Sequence, residues 1–466
     1  MNWGINAGIV PGNFGGYVTA LSRFGTMSLA DVFASAIDYA DHGYPIDPSL
    51  ATAIARSKRN LEKFPSTAKV FLPNGRAPEP GELFRNPDLA ATLRKAVDAE
   101  QTALKQKQSR AQALDAAFDR FYKGDIAQEF DRFFKENHGV MTAADLAAYR
   151  PEWQEPVHTT YRGYDVHSNP ATSRGGIELA MQLNLVEGFD LATMGADSPE
   201  TLHLLIEAIK VAKADVYRYV ADPKFTQIPM AGLLSKSYAE TRRKLIEPRR
   251  AMTYPSAGEP GRFSTPTAPG AALLEGPPKE PRFDDNYETE RDTTSFSIVD
   301  QYGNAGLLLN NGDRLGSSSP YPENVNYVRG GQIPLLNNSP AIVLKDGKVA
   351  MVFGTPGGET IGQTEFQMLV NVIDFHMPVQ QAVEHPRFVL DAKPNFYKPG
   401  SEIAVTIERR VTPAAVKALE EWGHKLAPTS DFTAAAGGMQ AIVVDLAKGT
   451  MLAGAAPHRT GYAVGW

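Results

Sequence analysis

Two places in this 466-residue sequence bring together residue types suited to forming and stabilising an acyl intermediate. The first is Thr293, which opens the run Thr293-Thr-Ser-Phe-Ser-Ile-Val-Asp300 directly after an acidic stretch that ends at Asp292. A hydroxyl is a weak nucleophile until a base takes its proton, and a threonine at a chain terminus carries that base in its own α-amine. With an ordinary pKa of roughly 7.7 to 8.0, such an amine is partly neutral at physiological pH. Cleavage between Asp292 and Thr293 would therefore create the catalyst. The second place is Gly357-Gly358, at the mouth of an amphipathic run, where unpaired amides and the helix dipole favour negative charge. Two such amides suit an oxyanion hole, in which losing one donor typically costs roughly 2.7 to 4 kcal/mol of transition-state stabilisation. Both patterns also have ordinary structural uses: β-branched pairs start strands for packing reasons, and glycine pairs make strand-to-helix turns.

Other chemistry is sparse. There is no Gly-x-Ser-x-Gly elbow, no Walker A loop and no His-Glu-x-x-His helix. The nine histidines are scattered, and His42, His138, His167, His385 and His458 have no partner at ligand spacing, so neither a metal nor another cofactor is expected. The absence of cysteine removes disulfides, thiolate metal sites and cysteine nucleophiles. A net charge of -6 gives no basic footprint for nucleic acid. The chain is 42% hydrophobic and 21% charged, which places it among ordinary folded proteins. No apolar run approaches the roughly 18 to 20 residues of a membrane helix, so no membrane partner is expected. The residues from Met1 to Gly12 read as no signal peptide.

The elements that must position these groups follow from periodicity. Residues 29–39, 88–97 and 198–217 carry apolar side chains at three- and four-residue spacing, and the first half reads as helical. Residues 98–121, rich in Ala, Gln, Lys, Glu and Asp, read as one exposed helix with a single apolar face. Residues 253–292 hold seven prolines from Pro255 to Pro281 and end acidic, the signature of an exposed linker. Beyond it Phe296 and Ile298 alternate with Ser295 and Ser297, which predicts a strand with one face buried. A turn at residues 301–304 and a return strand at 305–309 follow. Asp346-Gly347 between residues 341–344 and 349–353 predicts a tight hairpin. Next come the glycine turn, a helix over residues 360–375, and strands at 440–444 and 451–453, giving a second half of antiparallel strands with covering helices.

The segment from Thr293 to Asp300, followed by Gly303-Asn304-Ala305, resembles the opening of the small subunit of gamma-glutamyltranspeptidases. The resemblance continues, in order, through residues 339–348, Pro356-Gly357-Gly358 and residues 384–388. Earlier it takes in Val10-Pro-Gly12, Asp145-Leu-Ala-Ala-Tyr-Arg150, Tyr161-Arg-Gly-Tyr164, Ser173-Arg-Gly-Gly-Ile177, Asp222-Pro223 and Gly232-Leu-Leu-Ser-Lys236. It implies an α+β fold, the four-layer αββα sandwich of N-terminal-nucleophile hydrolases with antiparallel sheets. It also implies autocleavage into a large-subunit region, 1–292, and a small-subunit region, 293–466. Thr293 would attack a gamma-glutamyl amide of the glutathione type, with Gly357 and Gly358 holding the oxyanion, and water or an acceptor amine would resolve the acyl-enzyme.

The resemblance has gaps. The family's front segment, with an arginine that grips the substrate's α-carboxylate, has no match before Val10. The strand after Ala305 is shortened. Gly312 and the region of Leu315 stand where the family has Gln and Asp, and Leu336-Asn337 stands where it has a serine pair. Asn311 and Asn337 are the candidate replacement contacts for substrate. These departures motivate two alternatives, a relaxed acylase of the same family and a non-catalytic paralogue that keeps only the scaffold. Relatives of this kind are commonly periplasmic or secreted, and the resemblance implies the same location, although no signal peptide is read here.

Overall fold

The computed structural model describes residues 4–264, 293–311, 318–319 and 321–465, with the side chains of 309–311 excepted. They divide into two compact units, Met1–Trp153 and the described residues from Gln154 onward.

The first unit is helical: α1 (Asn13–Phe24), α2 (Leu29–His42), α3 (Pro48–Leu61), α4 (Pro65–Phe71), α5 (Pro87–Lys105), α6 (Arg110–Tyr122), α7 (Asp125–Glu136) and α8 (Ala143–Ala148). A short antiparallel pair, β1 (Tyr44–Pro45) with β2 (Leu83–Phe84), ties its middle. The single helix expected over 98–121 is in fact the end of α5 and all but the last residue of α6. Lys107 turns to positive φ, and Ser109 caps α6 in a reciprocal box with Gln112. That box satisfies two orphan amide donors at once, which is why the chain restarts there. Leu114, Ala117, Phe118 and Tyr122 of α6 are buried with Val18, Leu29 and Leu146. The Tyr122 hydroxyl donates to Pro11 O at 2.6 Å and accepts from Gly15 N at 3.0 Å, giving the Val10-Pro-Gly12 motif a structural task.

The second unit contains β3 (Val157–Tyr161), β4 (Tyr164–Ser168), α9 (Gly175–Val186), α10 (Leu191–Met194), α11 (Pro199–Tyr219), α12 (Met230–Leu233) and α13 (Lys236–Arg243). After these come β5 (Thr293–Val299), β6 (Ala305–Asn311), β7 (Ala341–Lys345), β8 (Lys348–Gly354), α14 (Ile361–Ile373), α15 (Val379–Glu384), β9 (Phe388–Lys393), β10 (Glu402–Glu408), α16 (Pro413–Glu421), β11 (Leu426–Thr429), β12 (Gln440–Asp445) and β13 (Thr450–Ala455). Six strands form an antiparallel sheet in the order β13-β12-β8-β7-β4-β3. Helix α9 packs on β3 and β4 and is itself covered by α11 and α14; all of its residues are buried. The β5–β6 hairpin lies on β8 and β12. The expected α+β sandwich of antiparallel sheets is the observed architecture.

Several local expectations are met. Asp346 (φ 49°) and Gly347 (φ 74°) both take the left-handed turn that joins β7 to β8. The strands β12 and β13 and the helix after the glycine turn fall where expected.

Others are corrected. The helical reading of the first half missed β3 and β4, joined by Arg162 (φ 51°) and Gly163 (φ 78°). On β5 the inward face is the serine one: Phe296 and Ile298 are 50% and 55% exposed, while Ser295 and Ser297 turn toward the larger sheet. The interface the hairpin makes there includes hydroxyl groups, which overrides the apolar alternation. In the three-stranded sheet, β10 and β11 pair in parallel, because α16 carries the chain back to start in the same direction. The first part of the proline-rich stretch is built in rather than exposed. Tyr254 and Pro260 are buried, the Tyr254 hydroxyl donates to Phe396 O at 3.0 Å, and Gly258 N donates to Asp215 Oδ1 at 2.7 Å. Residues 265–292, including Asp292 and the acidic end of the stretch, lie outside the described residues, as do Gly312 and Leu315.

Candidate active site

Thr293 is the first residue of β5, and its register partner across the hairpin is Asn311, whose side chain lies outside the described residues. Thr293 and Ser295 share a strand face, since side chains alternate. The Ser295 hydroxyl donates to Gln440 Oε1 at 2.8 Å, and Gln440 is the residue of β12 paired with Gly354, the last residue of β8. The Thr293 end of the hairpin is thereby held at the end of the two central strands where β8 runs into the glycine loop. Gln440 Nε2 in turn donates to Gly438 O, and Gly438 N donates to Thr355 Oγ1 at 3.0 Å. A continuous hydrogen-bonded path thus links β5 to the loop.

The loop is rigidly shaped. Gly358 takes φ 58°, a conformation costly for any residue with a Cβ. The Thr360 hydroxyl lies within hydrogen-bond distance of Gly357 O at 3.0 Å and of Ala435 O at 2.8 Å. Across from it Gly437 (φ 78°) has no room for a side chain, because a Cβ would lie 2.4 Å from Pro356 O. Among the described residues, neither the Gly357 nor the Gly358 amide donates a hydrogen bond. Two unspent donors at this turn are what an oxyanion hole needs.

Directly after the glycine pair stands Glu359, the centre of a cluster that sequence reasoning did not assemble. Its carboxylate accepts from Arg174, from the Tyr217 hydroxyl and, at 2.9 Å, from Asn337 Nδ2. Lys213 Nζ lies 3.9 Å from Glu359 Oε2 and 3.2 Å from Glu178 Oε1, and it donates to Glu359 O at 3.1 Å. The Arg174 guanidinium stacks 4.2 Å from the Tyr217 ring. Burial alone would raise the Glu359 pKa, but the charges of Arg174 and Lys213 outweigh it and hold the carboxyl at about 2. Glu178 goes the other way: burial pushes it up against the pull of Lys213 and Arg174. Burial raises Glu365, on the adjacent α14, well above the usual carboxylate range.

The structure thus brings Gly357, Gly358 and Asn337 together through Glu359 and ties the Thr293 end of β5 to the same end of the β8–β12 pair. Asn337, expected as a substrate contact, spends its amide nitrogen on Glu359. One signal for this cluster was present in the sequence. Glu207, Lys210, Lys213 and Tyr217 recur at three- and four-residue spacing along α11, a polar stripe on a helix that is buried almost throughout.

A second polar group lies further along α11. His203, Glu207 and His424 are buried with ligand atoms within 4.8 Å of one another, a spacing that could hold a metal ion. The donors are largely committed already. His203 Nε2 sits 2.9 Å from Glu247 O, its Nδ1 is 2.8 Å from His424 Nε2, and Lys210 neutralises Glu207 at 2.7 Å. Burial, with Lys210 and His203 close by, pushes His424 down to about 3. A cavity of about 680 Å³ is lined by Tyr217, Tyr219, Tyr254, Tyr321 and Phe396 among others; it shares Tyr217 with the Glu359 cluster but not the glycine loop.

The family model for gamma-glutamyltranspeptidase matches residues 1–306 and 305–466. The acylase ACY 1 proenzyme of Pseudomonas sp. (strain SE83) is 32% identical over 441 residues, covering 94% of this chain and 72% of its own. The glutathione hydrolase proenzyme of Bacillus subtilis (strain 168) is 30% identical over 478 residues, covering 98% of this chain and 74% of its own. Among solved structures, the cephalosporin acylase from Bacillus halodurans superposes with a TM-score of 0.78 at 26% identity, covering all of this chain and 80% of its own.

Proposed function

The chain belongs to the gamma-glutamyltranspeptidase family, and from that premise we propose that it is a self-processing amide hydrolase or acyltransferase whose nucleophile is Thr293. In this reading the bond after Asp292 is cut by the chain itself, and the new α-amine accepts the proton of the Thr293 hydroxyl. The hydroxyl oxygen attacks an amide carbonyl, and the Gly357 and Gly358 amides hold the tetrahedral oxyanion. The proton passes to the departing amine, leaving an ester on Thr293, which water hydrolyses or a second amine takes up. The observation that carries the reading is the Ser295–Gln440 hydrogen bond, which ties the Thr293 end of β5 to the end of β12 that pairs with Gly354, three residues before the two unspent amides.

The relatives' names divide the substrate class between glutathione hydrolases and acylases. Gamma-glutamyl amides such as glutathione are one candidate donor class, and other acylated amines are the second. The second reading is favoured here because Asn337 is engaged by a carboxylate of the chain itself.

Intact mass and N-terminal sequencing test the proposal. Purified protein should resolve under denaturing conditions into two pieces, the smaller beginning Thr-Thr-Ser-Phe. Thr293→Ala should stay a single chain and release no amine from any acyl anilide. Wild-type protein that remains one uncut chain after prolonged incubation, or a Thr293→Ala variant that still splits at this bond, rules it out.

A further inference from the structure

The charged groups nearest the glycine loop are arranged in a way that bears on what kind of acyl group fits. Two cations, Arg174 and Lys213, lie there, and both are sealed: their side chains are 1% and 0% exposed. Each already faces a carboxylate of the chain, Arg174 that of Glu359 and Lys213 that of Glu178. Glu359, by contrast, keeps 24% of its side chain accessible. It adjoins Gly358, so its Cα lies about 3.8 Å from that of the glycine. Among the described residues, the two cations that touch Glu359 are therefore both sealed, while its own carboxylate keeps an open side next to the glycine pair. Beside it, Asn337 Oδ1 is buried without a hydrogen-bond partner, a second acceptor.

We propose that Glu359 determines acyl-donor specificity: its carboxylate takes, from within the chain, the Arg174 and Asn337 contacts that a substrate carboxylate would need, so the site accepts amides whose acyl chain lacks a carboxylate and prefers those carrying an ammonium group. The inference rests on the reading that the glycine amides mark the reacting centre. A carboxylated acyl chain brings a second anion to Glu359 with no accessible counter-charge among its described neighbours, whereas an ammonium group pairs with the exposed side of Glu359. Among the described residues, the groups facing Glu359 are Arg174, Lys213, Glu178, Tyr217 and Asn337, and none of them offers an accessible positive charge.

Four p-nitroanilides that differ only in these charges provide the test: gamma-glutamyl, glutaryl, gamma-aminobutyryl and butyryl. With the wild-type protein, kcat/KM for the gamma-aminobutyryl anilide should exceed that for the glutaryl and gamma-glutamyl anilides at least about tenfold, with butyryl between. Glu359→Gln should shift the ratio of glutaryl to gamma-aminobutyryl turnover toward glutaryl by a similar factor. A glutaryl or gamma-glutamyl preference in the wild type, or a ratio unmoved by Glu359→Gln, overturns the proposal. A binding arm needs neither turnover nor a variant. Calorimetry of wild-type protein with gamma-aminobutyramide and with glutaramate should show binding of the first only. Tighter binding of glutaramate sinks the charge assignment. Ammonium-selective binding with all four anilides left uncleaved upholds the charge assignment and instead refutes Thr293 as the nucleophile.

Discussion

Glu365 is fully buried and Glu359 keeps only 24% of its side chain accessible, yet their surroundings push their pKa values in opposite directions. Glu359 is kept ionised by Arg174 and Lys213, its pKa lowered from 4.5 to about 2. A depressed folded-state pKa gives stability that is complete above the unfolded value and is lost as pH falls from about 4.5 toward 2. Arg174→Met removes the cation and leaves the carboxylate buried, which should cost about 3 to 5 kcal/mol in urea unfolding at neutral pH. That deficit should shrink in the acid limb, where Glu359 becomes neutral. Glu365 carries the reverse sign: burial raises its pKa well above 4.5, so its proton supports the fold and the benefit fades as pH rises. Glu365→Gln should therefore raise Tm at neutral pH and confer no advantage below about pH 4.5. Little of this was legible in the sequence. Thr293 and the glycine pair stand out as local patterns, but Arg174, Tyr217 and Asn337 reach Glu359 from separate segments, and only folding brings them together.

Where an element's design is local, the sequence disclosed it. Asp346-Gly347 announced its hairpin because both positions need positive φ, and the glycine turn announced the start of a helix. The break between α5 and α6 was equally local, a Ser109-x-x-Gln112 box, but helix-favouring residues on both sides masked it. The orientation of β5 was not local: Phe296 and Ile298 promise an inward apolar face, and only the docking of Ser295 onto Gln440 shows which side turns in. The glycine loop depends on a neighbour in the same way. Gly437 has φ 78° and no space for a methyl group, so Gly437→Ala must push Pro356 and the adjoining glycines away. Turnover should fall by about 10²-fold or more, as expected when an oxyanion donor is displaced. A Tm loss of a few degrees at most would separate this from unfolding. Unchanged turnover would show that the loop tolerates the shift.

At the scale of the molecule, the six-stranded sheet crosses the proposed cleavage point. Strand β4 precedes it and β7 follows it, and they are neighbours from Asp165↔Leu344 to Ser168↔Ala341. Gel filtration of processed protein should therefore give one species of the intact chain's size, although a denaturing gel shows two. Separation of the pieces without denaturant would contradict the sheet order. Sequence reading placed the two regions on either side of residue 292 but gave no sign of this pairing, since β3 and β4 lay hidden in a half that looked helical. The seam also fixes an order of events. A chain severed before β4 and β7 meet would consist of two incomplete halves, each with a raw strand edge open to any passing peptide. If the chain cuts itself as proposed, folding must come first and the cut second, so that the finished fold itself would act as the licence for self-scission.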